Sequence, residues 1–145
     1  MASVSETFCH RLSGIYSDKN NILTRLKSGK VRIINKKNHF FSRIHLEDIG
    51  NILLNSLTQI KKNEVYNISD DKPSSAEDVA MYGVKLLGFN KPKTIEINEI
   101  ESEMLKGFYR DSKKVDNKKM KEVFNYKLKY PSYVEGLNYI FNNTI

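Results

Sequence analysis

SRIHLEDIGNILLNSLTQI, residues 42–60, is the most informative stretch about the fold, because a β-rich run passes directly into a long amphipathic helix. Its first residues end a strand candidate, HFFSRIHL (39–46), and the helix LEDIGNILLNSLTQI covers residues 46–60. Apolar side chains recur in this helix at the i, i+3, i+4 spacing of one buried face. The predicted members of that face are Ile49, Ile52, Leu53, Ser56, Leu57 and Ile60. A strand that leads straight into a helix predicts an α/β unit.

Strands and helices alternate on both sides of this unit. Strand candidates are FCHRLSGIY (8–16), VRII (31–34), EVYNIS (64–69) and TIEI (94–97). Five further helices are predicted. The first begins at Asn20 or Asn21 and ends before Gly29, the second begins at Ser74 in a capping box with Glu77 and ends at Leu87, and the third spans 98–109. The fourth follows Asp116, and the fifth begins at Ser132 in a capping box with Glu135. The order predicts one mixed α/β domain over residues 1–145, with helices dominating the second half.

Composition narrows the function classes. The net charge is +7, but the lysines are scattered, and neither zinc-ligand spacing nor an RNP-like aromatic strand accompanies them. This argues against nucleic acid as the partner. No apolar run approaches the ~20 residues of a membrane span, and the N-terminus lacks a signal-peptide pattern. The single cysteine, Cys9, fits a reducing cytoplasm, and we expect it to be a buried small hydrophobe.

Two groups of residues in the central unit invite a functional interpretation. His45, Glu47 and Asp48 could form a metal or acid–base cluster, but no second His or Cys lies at ligand spacing. Glu47 and Asp48 fit a helix N-terminus, where carboxylates are stabilised, and we expect no metal. Phe41, Arg43 and His45 share one strand face. Arg43 is either an anion-binding residue or a solvated arginine, and the residues alone leave both open.

Four segments occur in the order of a known family: RLSGIY (11–16), SRIHLEDIGNIL (42–53), NEVYNISDDKPSSAEDVAMYGVKLLG (63–88) and KKVDNKKMKEVFNYKLKYPSYVEGL (113–137). RIHLEDI is similar to the family segment R-x-H-V-x-D-[VIL], and VYNISDD to its late strand V-[YF]-N-[VI]-x-[DG]. Together the segments resemble the C-terminal half of an extended short-chain dehydrogenase/reductase. That group comprises NAD-dependent epimerases and dehydratases acting largely on nucleotide sugars.

The resemblance implies the late strands of a Rossmann-like sheet plus a small helical substrate-binding subdomain. It also implies that NAD(P) is held mainly by a glycine-rich N-terminal half, whereas this sequence contains no G-x-G-x-x-G. We therefore expect no cofactor and no catalytic residue in this chain alone. Ser13, Gly14, Ile15 and Tyr16 would contact the nicotinamide only if the missing half is supplied. Tyr16, Arg43 and His45 are implied to line the substrate cleft, with Arg43 holding an anionic small molecule.

Three features depart from the family pattern, the first being that Ser17 and Asp18 follow Tyr16 where family members usually continue with Gly-Pro. Gly14 stands where many sugar-nucleotide enzymes carry an asparagine that serves the substrate. Phe41 stands where their arginine often lies, four residues before the histidine. Arg43 is two residues before His45 and shares the strand face of Phe41, so it is the candidate to replace that arginine.

YRDSK, residues 109–113, has the Tyr-x-x-x-Lys spacing of the catalytic pair of short-chain dehydrogenases. In the family this pair precedes the segment that RLSGIY resembles, whereas Tyr109 and Lys113 follow it by nearly a hundred residues. We therefore interpret YRDSK as a coincidence of spacing.

Half of a Rossmann-like sheet would leave an open edge and an apolar face in water. We expect a homo-oligomer, foremost a dimer, or a partner that supplies the Rossmann half. The function predicted from sequence is a fragmentary epimerase-like protein that retains a substrate-type cleft and is not catalytic alone. The alternative is a non-catalytic binding or assembly module that uses the inherited sheet as an interface.

Overall fold

The structure is a computed structural model that describes residues 8–59 and 63–144. Its strands are β1 (Cys9–Leu12), β2 (Gly14–Tyr16), β3 (Ile33–Ile34), β4 (Arg43–His45), β5 (Val65–Ile68) and β6 (Thr94–Ile95). Its helices are α1 (Ile22–Lys27), α2 (Leu46–Gln59), α3 (Ala76–Leu87), α4 (Glu103–Phe108), α5 (Lys118–Val123) and α6 (Tyr133–Thr144), with a 3-10 turn at Ile97–Glu99. The predicted α/β class is confirmed.

The strands form three parallel pairs: β1 with β5, β2 with β4, and β3 with β6. The predicted strand 8–16 is real, but it changes partner at its middle. Ser13 donates its N–H to the Ile68 carbonyl at the end of β5, and Gly14 donates to the Ser42 carbonyl just before β4. The two parallel pairs therefore diverge at Ser13–Gly14, where the chain crosses from one strand to the other.

Helix α2 packs against β5 with only part of its predicted apolar face. Ile49 and Ile52 pack with Tyr66 and Ile68 of β5 in a core that also includes Met120, Phe124 and Leu128. The prediction was wrong for Leu53 and Leu57, which are 44% and 69% exposed. Both lie beside the face of α2 that packs against β5, and in the described part of the chain they are exposed to solvent. Ile60 lies outside the described residues.

A second core joins three helices. Side chains of α1, α3 and α6 pack together with Tyr16, which extends from β2 into this layer. Gly83 permits the close approach of α1 and α3, because a Cβ at this position would lie 2.8 Å from the Leu26 Cδ1 atom. The predicted helical subdomain is therefore one packed layer, and β2 connects it to the strands.

Capping residues explain where the first helices begin. Asn21 caps α1: its side-chain oxygen accepts the N–H groups of Leu23 and Thr24, and the Thr24 hydroxyl oxygen accepts the N–H of Asn21. Gly29 then adopts φ 69° after the helix, as predicted from its position. For α3 the predicted cap was one residue early, because Ser75, not Ser74, accepts the N–H of Asp78.

Several predicted elements are shorter in the structure. The strand HFFSRIHL is reduced to β4 plus one antiparallel bridge from Phe41 to Ser74. Residues 112–115 form a strap that hydrogen-bonds to the residues just before β4. The Phe40 N–H donates to the Ser112 hydroxyl, and the Lys113 N–H donates to the Phe40 carbonyl. The predicted helix 98–109 is interrupted, because a 3-10 turn closes first and Ser102 caps the separate helix α4.

Two further observations concern the surface. Cys9 is exposed on β1, so its predicted burial was wrong; no described strand covers that edge. Within residues 8–59 and 63–144, every helix is too short or too polar to cross a bilayer.

Candidate functional site

A cleft of about 1380 Å³ opens where β1 and β2 change partners. Ser13, Gly14, Ile15 and Tyr16 all line it, as does Arg43. In open parallel sheets, ligands bind at the carboxyl ends of strands, where neighbouring strands diverge. The predicted residues are thus brought together at the position where this architecture places a ligand, with the exception of His45.

Gly14 lies in register with Arg43 on the β2–β4 pair. A Cβ at residue 14 would lie 3.3 Å from the Ser42 carbonyl oxygen, which is a tight contact. Because glycine has no side chain, β2 places no group beside Arg43 on that strand face.

Tyr16 forms the back of the cleft and is nearly fully buried. Its hydroxyl donates to the Ser132 carbonyl at 3.4 Å, and its ring lies against α6 at Gly136. A Cβ at residue 136 would lie 2.1 Å from the Tyr16 hydroxyl, so only glycine fits there. Burial, followed by the negative charges of Asp70 and Asp48, raises the pKa of Tyr16 far above its usual value. Tyr16 therefore remains a neutral phenol and cannot act as a base near neutral pH.

His45 supports Tyr16 from behind and is not part of the cleft wall. Its ring lies 5.0 Å from the Tyr16 ring and 4.2 Å from the Tyr130 ring. Its Nδ1 accepts the N–H of Glu47 at 3.1 Å. Burial lowers the pKa of His45. This places His45 as a neutral ring in the packing between β4 and the loop that precedes α6.

Arg43 faces the cleft but is partly engaged by the backbone. Its Nη1 donates to the carbonyl oxygens of Phe41 at 3.1 Å and Ser74 at 2.9 Å. Arg25 of α1 lines the same cleft and is exposed. Burial lowers the pKa of Arg43, and the like charge of Arg25 lowers it further, whereas Asp70 opposes this shift. Two guanidinium groups that repel each other across a cleft favour an anion between them.

Asp70 lies two residues after the end of β5 and is almost completely buried. Its backbone N–H donates to the Arg43 carbonyl, and its Oδ1 accepts the N–H of Lys72 at 3.0 Å. Its Oδ2 is buried without a hydrogen-bond partner among the described residues. Burial raises the pKa of Asp70 to about 7, although the Lys72 N–H and Arg43 act in the opposite direction. A buried carboxyl group with a raised pKa thus lies behind the arginine of the cleft.

Glu47 and Asp48 lie in the first turn of α2, as the sequence predicts, and both are engaged. Asp48 is fully buried and accepts three hydrogen bonds from the 126–130 loop. Glu47 pairs with Lys129 and accepts the hydroxyl of Tyr130. In the described part of the chain, no three His, Cys, Asp or Glu side chains group as metal ligands. These carboxylates fasten the loop to the helix.

The YRDSK stretch has a structural role. Tyr109 is buried with Ile34 and Ile100, and its ring stacks on His39 at 5.1 Å. Ser112 and Lys113 belong to the strap that holds the residues leading into β4. Tyr109 and Lys113 do line the cleft, but at its end formed by α4 and the strap. YRDSK therefore fixes the approach to β4.

Sequence reasoning missed Arg25 and Asp70. Asp70 could have been found, because it directly follows the predicted strand 64–69, and ligands gather at the carboxyl ends of parallel strands. Arg25 carried no such signal. Its place in the cleft depends on how α1 packs against α3, which the local pattern of α1 does not encode.

Comparison with solved structures assigns the fold. A functionally unknown conserved protein from Silicibacter pomeroyi shares 34% identity with this chain, with a TM-score of 0.89, over 94% of this chain and 49% of that one. UDP-glucose 4-epimerase from Thermotoga maritima, solved with UDP-glucose, shares 18% identity with a TM-score of 0.75, over 94% and 45%. dTDP-glucose 4,6-dehydratase from Bacillus anthracis, solved with NAD, shares 19% with a TM-score of 0.70, over 93% and 43%.

The chain has the fold of the C-terminal half of an NAD-dependent epimerase/dehydratase. The resemblance noted in the sequence is thereby confirmed at the level of fold. The chain spans about half the length of the solved structures it matches. No protein-family model and no curated protein sequence matches it.

Proposed function

We propose that this epimerase-like half binds a phosphate-bearing small molecule, of the sugar-nucleotide type, and performs no chemistry by itself. The observation that carries the proposal is the pair Arg25 and Arg43 on the walls of one cleft beside Ser13–Tyr16. An anion between two guanidinium groups relieves their mutual repulsion and gains charge-assisted hydrogen bonds. The structural neighbour from Thermotoga maritima was solved with UDP-glucose, which supports this ligand class.

The dinucleotide fits this chain poorly when the chain is taken alone. A pyrophosphate needs a glycine-rich turn at a helix N-terminus, and the sequence lacks that pattern. Ser13–Tyr16 offer a wall for the nicotinamide end only. In our proposal NAD(P) therefore contacts these residues once a Rossmann half completes the site, as the resemblance implies. The single cysteine fits a reducing compartment, and we place the protein in the cytoplasm.

Calorimetric titration with UDP-glucose and with uridine tests the ligand class. UDP-glucose should bind at least tenfold more tightly, since uridine lacks the phosphates. Arg25→Met should weaken UDP-glucose binding by roughly ten- to a hundredfold, the value of a charged hydrogen bond. Because Arg25 is exposed, the variant keeps its fold, whereas Arg43→Met also loses the bonds to Phe41 and Ser74.

Lys85→Met is the matched control, because it removes the same charge from the exposed side of α3, outside the cleft. It should leave the affinity unchanged. Equal affinity for uridine and UDP-glucose would reject the proposal, and so would equal effects of Arg25→Met and Lys85→Met.

The second candidate function is a non-catalytic assembly module. It is favoured by the large apolar side chains that α2 and α4 expose, among them Leu57 and Met104. Such patches mark interfaces in folded proteins. On its own, the chain would bury them in a homo-oligomer. Failure of every nucleotide to bind, together with stable association, would favour this alternative.

A further inference from the structure

Residues 101–108 contribute to the wall of the cleft but not to a hydrophobic core. They comprise α4 and the two residues before it, and none of them is buried. The residues on both sides are buried instead, because Ile100 and Tyr109 pack together with Ile34. The segment is therefore anchored at its two ends and lies on the surface between them. We call residues 101–108 the flap.

The polar bonds of the flap are local. The Ser102 hydroxyl accepts the Leu105 N–H at 3.3 Å, and the Ser102 carbonyl accepts the Lys106 N–H at 2.9 Å. Lys106 also pairs with Glu103 at 2.7 Å. In the described part of the chain, no hydrogen bond or ion pair joins the flap to a residue outside 101–110. A segment with so few contacts to the rest of a protein opens at low cost in free energy.

Two apolar side chains of the flap line the cleft. Leu105 and Phe108 are 40% and 58% exposed, and both belong to the cleft wall. Tyr109 stacks on His39, whereas the neighbouring Phe108 ring contacts no aromatic ring among the described residues. Met104 is 75% exposed but does not line the cleft. An apolar group in the cleft would therefore gain contacts with Leu105 and Phe108 that water does not provide.

The cleft is wider than a small ligand needs. Its volume is about 1380 Å³. Pockets for small molecules usually measure roughly 300–1,000 Å³ and cover most of the ligand surface. Movement of the flap toward the strands would narrow the cleft and bring its apolar side chains onto the occupant. Segments that close over a ligand in this way are common in ligand-binding proteins.

Charge is distributed unevenly along the flap. Burial raises the pKa of Tyr109, whereas the positive charges of Arg43 and Arg25 lower it, so both guanidinium groups act on the end of the flap that adjoins Tyr109. At the other end, Glu101 lines the cleft and repels anions. An anion between the two arginines would thus lie near Phe108.

We propose that the flap closes over the occupant of the cleft, and that Leu105 and Phe108 cover a ring attached to the occupant's anionic group. The ligand class narrows accordingly to a phosphate ester that carries a ring, and it excludes free phosphate and short-chain phosphates as good ligands. The inference rests on the proposed function, because the arginine pair holds the anion. It adds Leu105 and Phe108 as residues that determine specificity.

Titration of the full chain with phenyl phosphate and methyl phosphate, followed by NMR chemical shifts, measures the contribution of the ring. Both probes are phosphate monoesters, so the ratio of their dissociation constants reports the ring and not the charge. Phenyl phosphate should bind at least tenfold more tightly, because its ring gains apolar contacts with the flap. Phe108→Ala should remove most of this preference and leave the affinity for methyl phosphate unchanged.

Met104→Ala is the matched control, because it shortens an exposed apolar side chain of the same helix that lies outside the cleft wall. It should leave both affinities unchanged. Hydrogen–deuterium exchange then tests closure. In the free chain the flap amides should exchange faster than those of α3, which packs in the helical core. Saturating phenyl phosphate should slow the flap amides, and saturating methyl phosphate should not.

Equal affinities for the two phosphates would overturn the inference, and so would equal effects of Phe108→Ala and Met104→Ala. Flap amides that exchange as slowly as those of α3 in the free chain would also overturn it. Arg25→Met separates this inference from the proposed function. If Arg25→Met weakens binding but Phe108→Ala does not, the arginine pair stands and the flap is rejected. Failure of phenyl phosphate to bind at millimolar concentration rejects the flap and leaves the arginine pair to the UDP-glucose titration.

Discussion

Replacing Asp48 by alanine should destabilise the protein more than any other loss of a single charge on α2. The Asp48 carboxylate is fully buried and accepts the Tyr126 hydroxyl at 2.6 Å, the Lys129 N–H at 2.8 Å and the Tyr130 N–H at 3.0 Å. It thereby fastens the loop before α6 to the first turn of α2. The same loop places the Tyr130 ring on His45, which supports Tyr16 at the back of the cleft.

The expected magnitude follows from these bonds. A buried donor left without its acceptor costs about 1–3 kcal/mol. Asp48→Ala leaves two backbone donors, the N–H groups of Lys129 and Tyr130, without an acceptor, while the Tyr126 hydroxyl can turn to water. We expect a loss of about 3–5 kcal/mol, a large share of the ~5–15 kcal/mol that stabilises a typical domain. At roughly 2–4 °C per kcal/mol for a chain of this size, Tm should fall by on the order of 10 °C.

Glu47→Gln is the internal control for this prediction. Glu47 is the adjacent carboxylate, but its pair with Lys129 is well exposed, and exposed pairs contribute only about 0–1 kcal/mol. Circular dichroism melts of both variants should therefore differ widely. If Asp48→Ala lowers Tm no more than Glu47→Gln does, the loop is not held as the structure shows.

Three further predictions follow from the site and the surface. Because burial raises the pKa of Asp70 to about 7, the folded state binds its proton more tightly than the unfolded state, so this group's contribution to stability falls as pH rises from about 4 to about 7. Asp70→Asn should flatten that decline when the free energy of unfolding is measured in urea at several pH values. An unchanged decline would count against the burial of the Asp70 carboxyl. Tyr109→Phe should change the free energy of unfolding by less than about 1 kcal/mol, because the stacked ring remains, whereas Tyr109→Ala should cost about 3–5 kcal/mol; equal effects in chemical denaturation would show that the hydroxyl matters. The chain alone should scatter light as a dimer or larger species at micromolar concentration, because exposed leucines forfeit about 25 cal/mol per Å2; a well-behaved 16.8 kDa monomer would contradict this.

The elements that local chemistry specifies could be predicted from the sequence. The unit from β4 through α2 to β5 carries clear periodicity and was found. The start of α1 was predicted at Asn20 or Asn21, and the structure uses Asn21. Ser75 was missed as the cap of α3 because two adjacent serines carry the same signal. The strand that includes β4 was predicted too long, because the residues before β4 hydrogen-bond to the strap, which lies 71–72 residues away in the sequence.

The site was only partly predictable for a related reason. Ser13–Tyr16 and Arg43 line one cleft because β2 pairs with β4, and the binding roles that the family resemblance implies for them stay predictions. His45 lies behind Tyr16 and does not line the cleft. The alternation of side chains along a strand predicts which face a residue is on, but it does not predict how far that residue lies from the cleft. Leu53 and Leu57 follow a buried-face pattern but are exposed, because periodicity indicates that a face is apolar and does not indicate which part of a protein covers it.

Calorimetric titration of the chain with NADH and NADPH shows whether these residues form only the substrate half of the fold and lack the cradle for the dinucleotide. We predict that calorimetry detects no binding of either dinucleotide in the micromolar range, while UDP-glucose binds in the same buffer. A micromolar dissociation constant for NADH or NADPH with this chain alone would contradict the account.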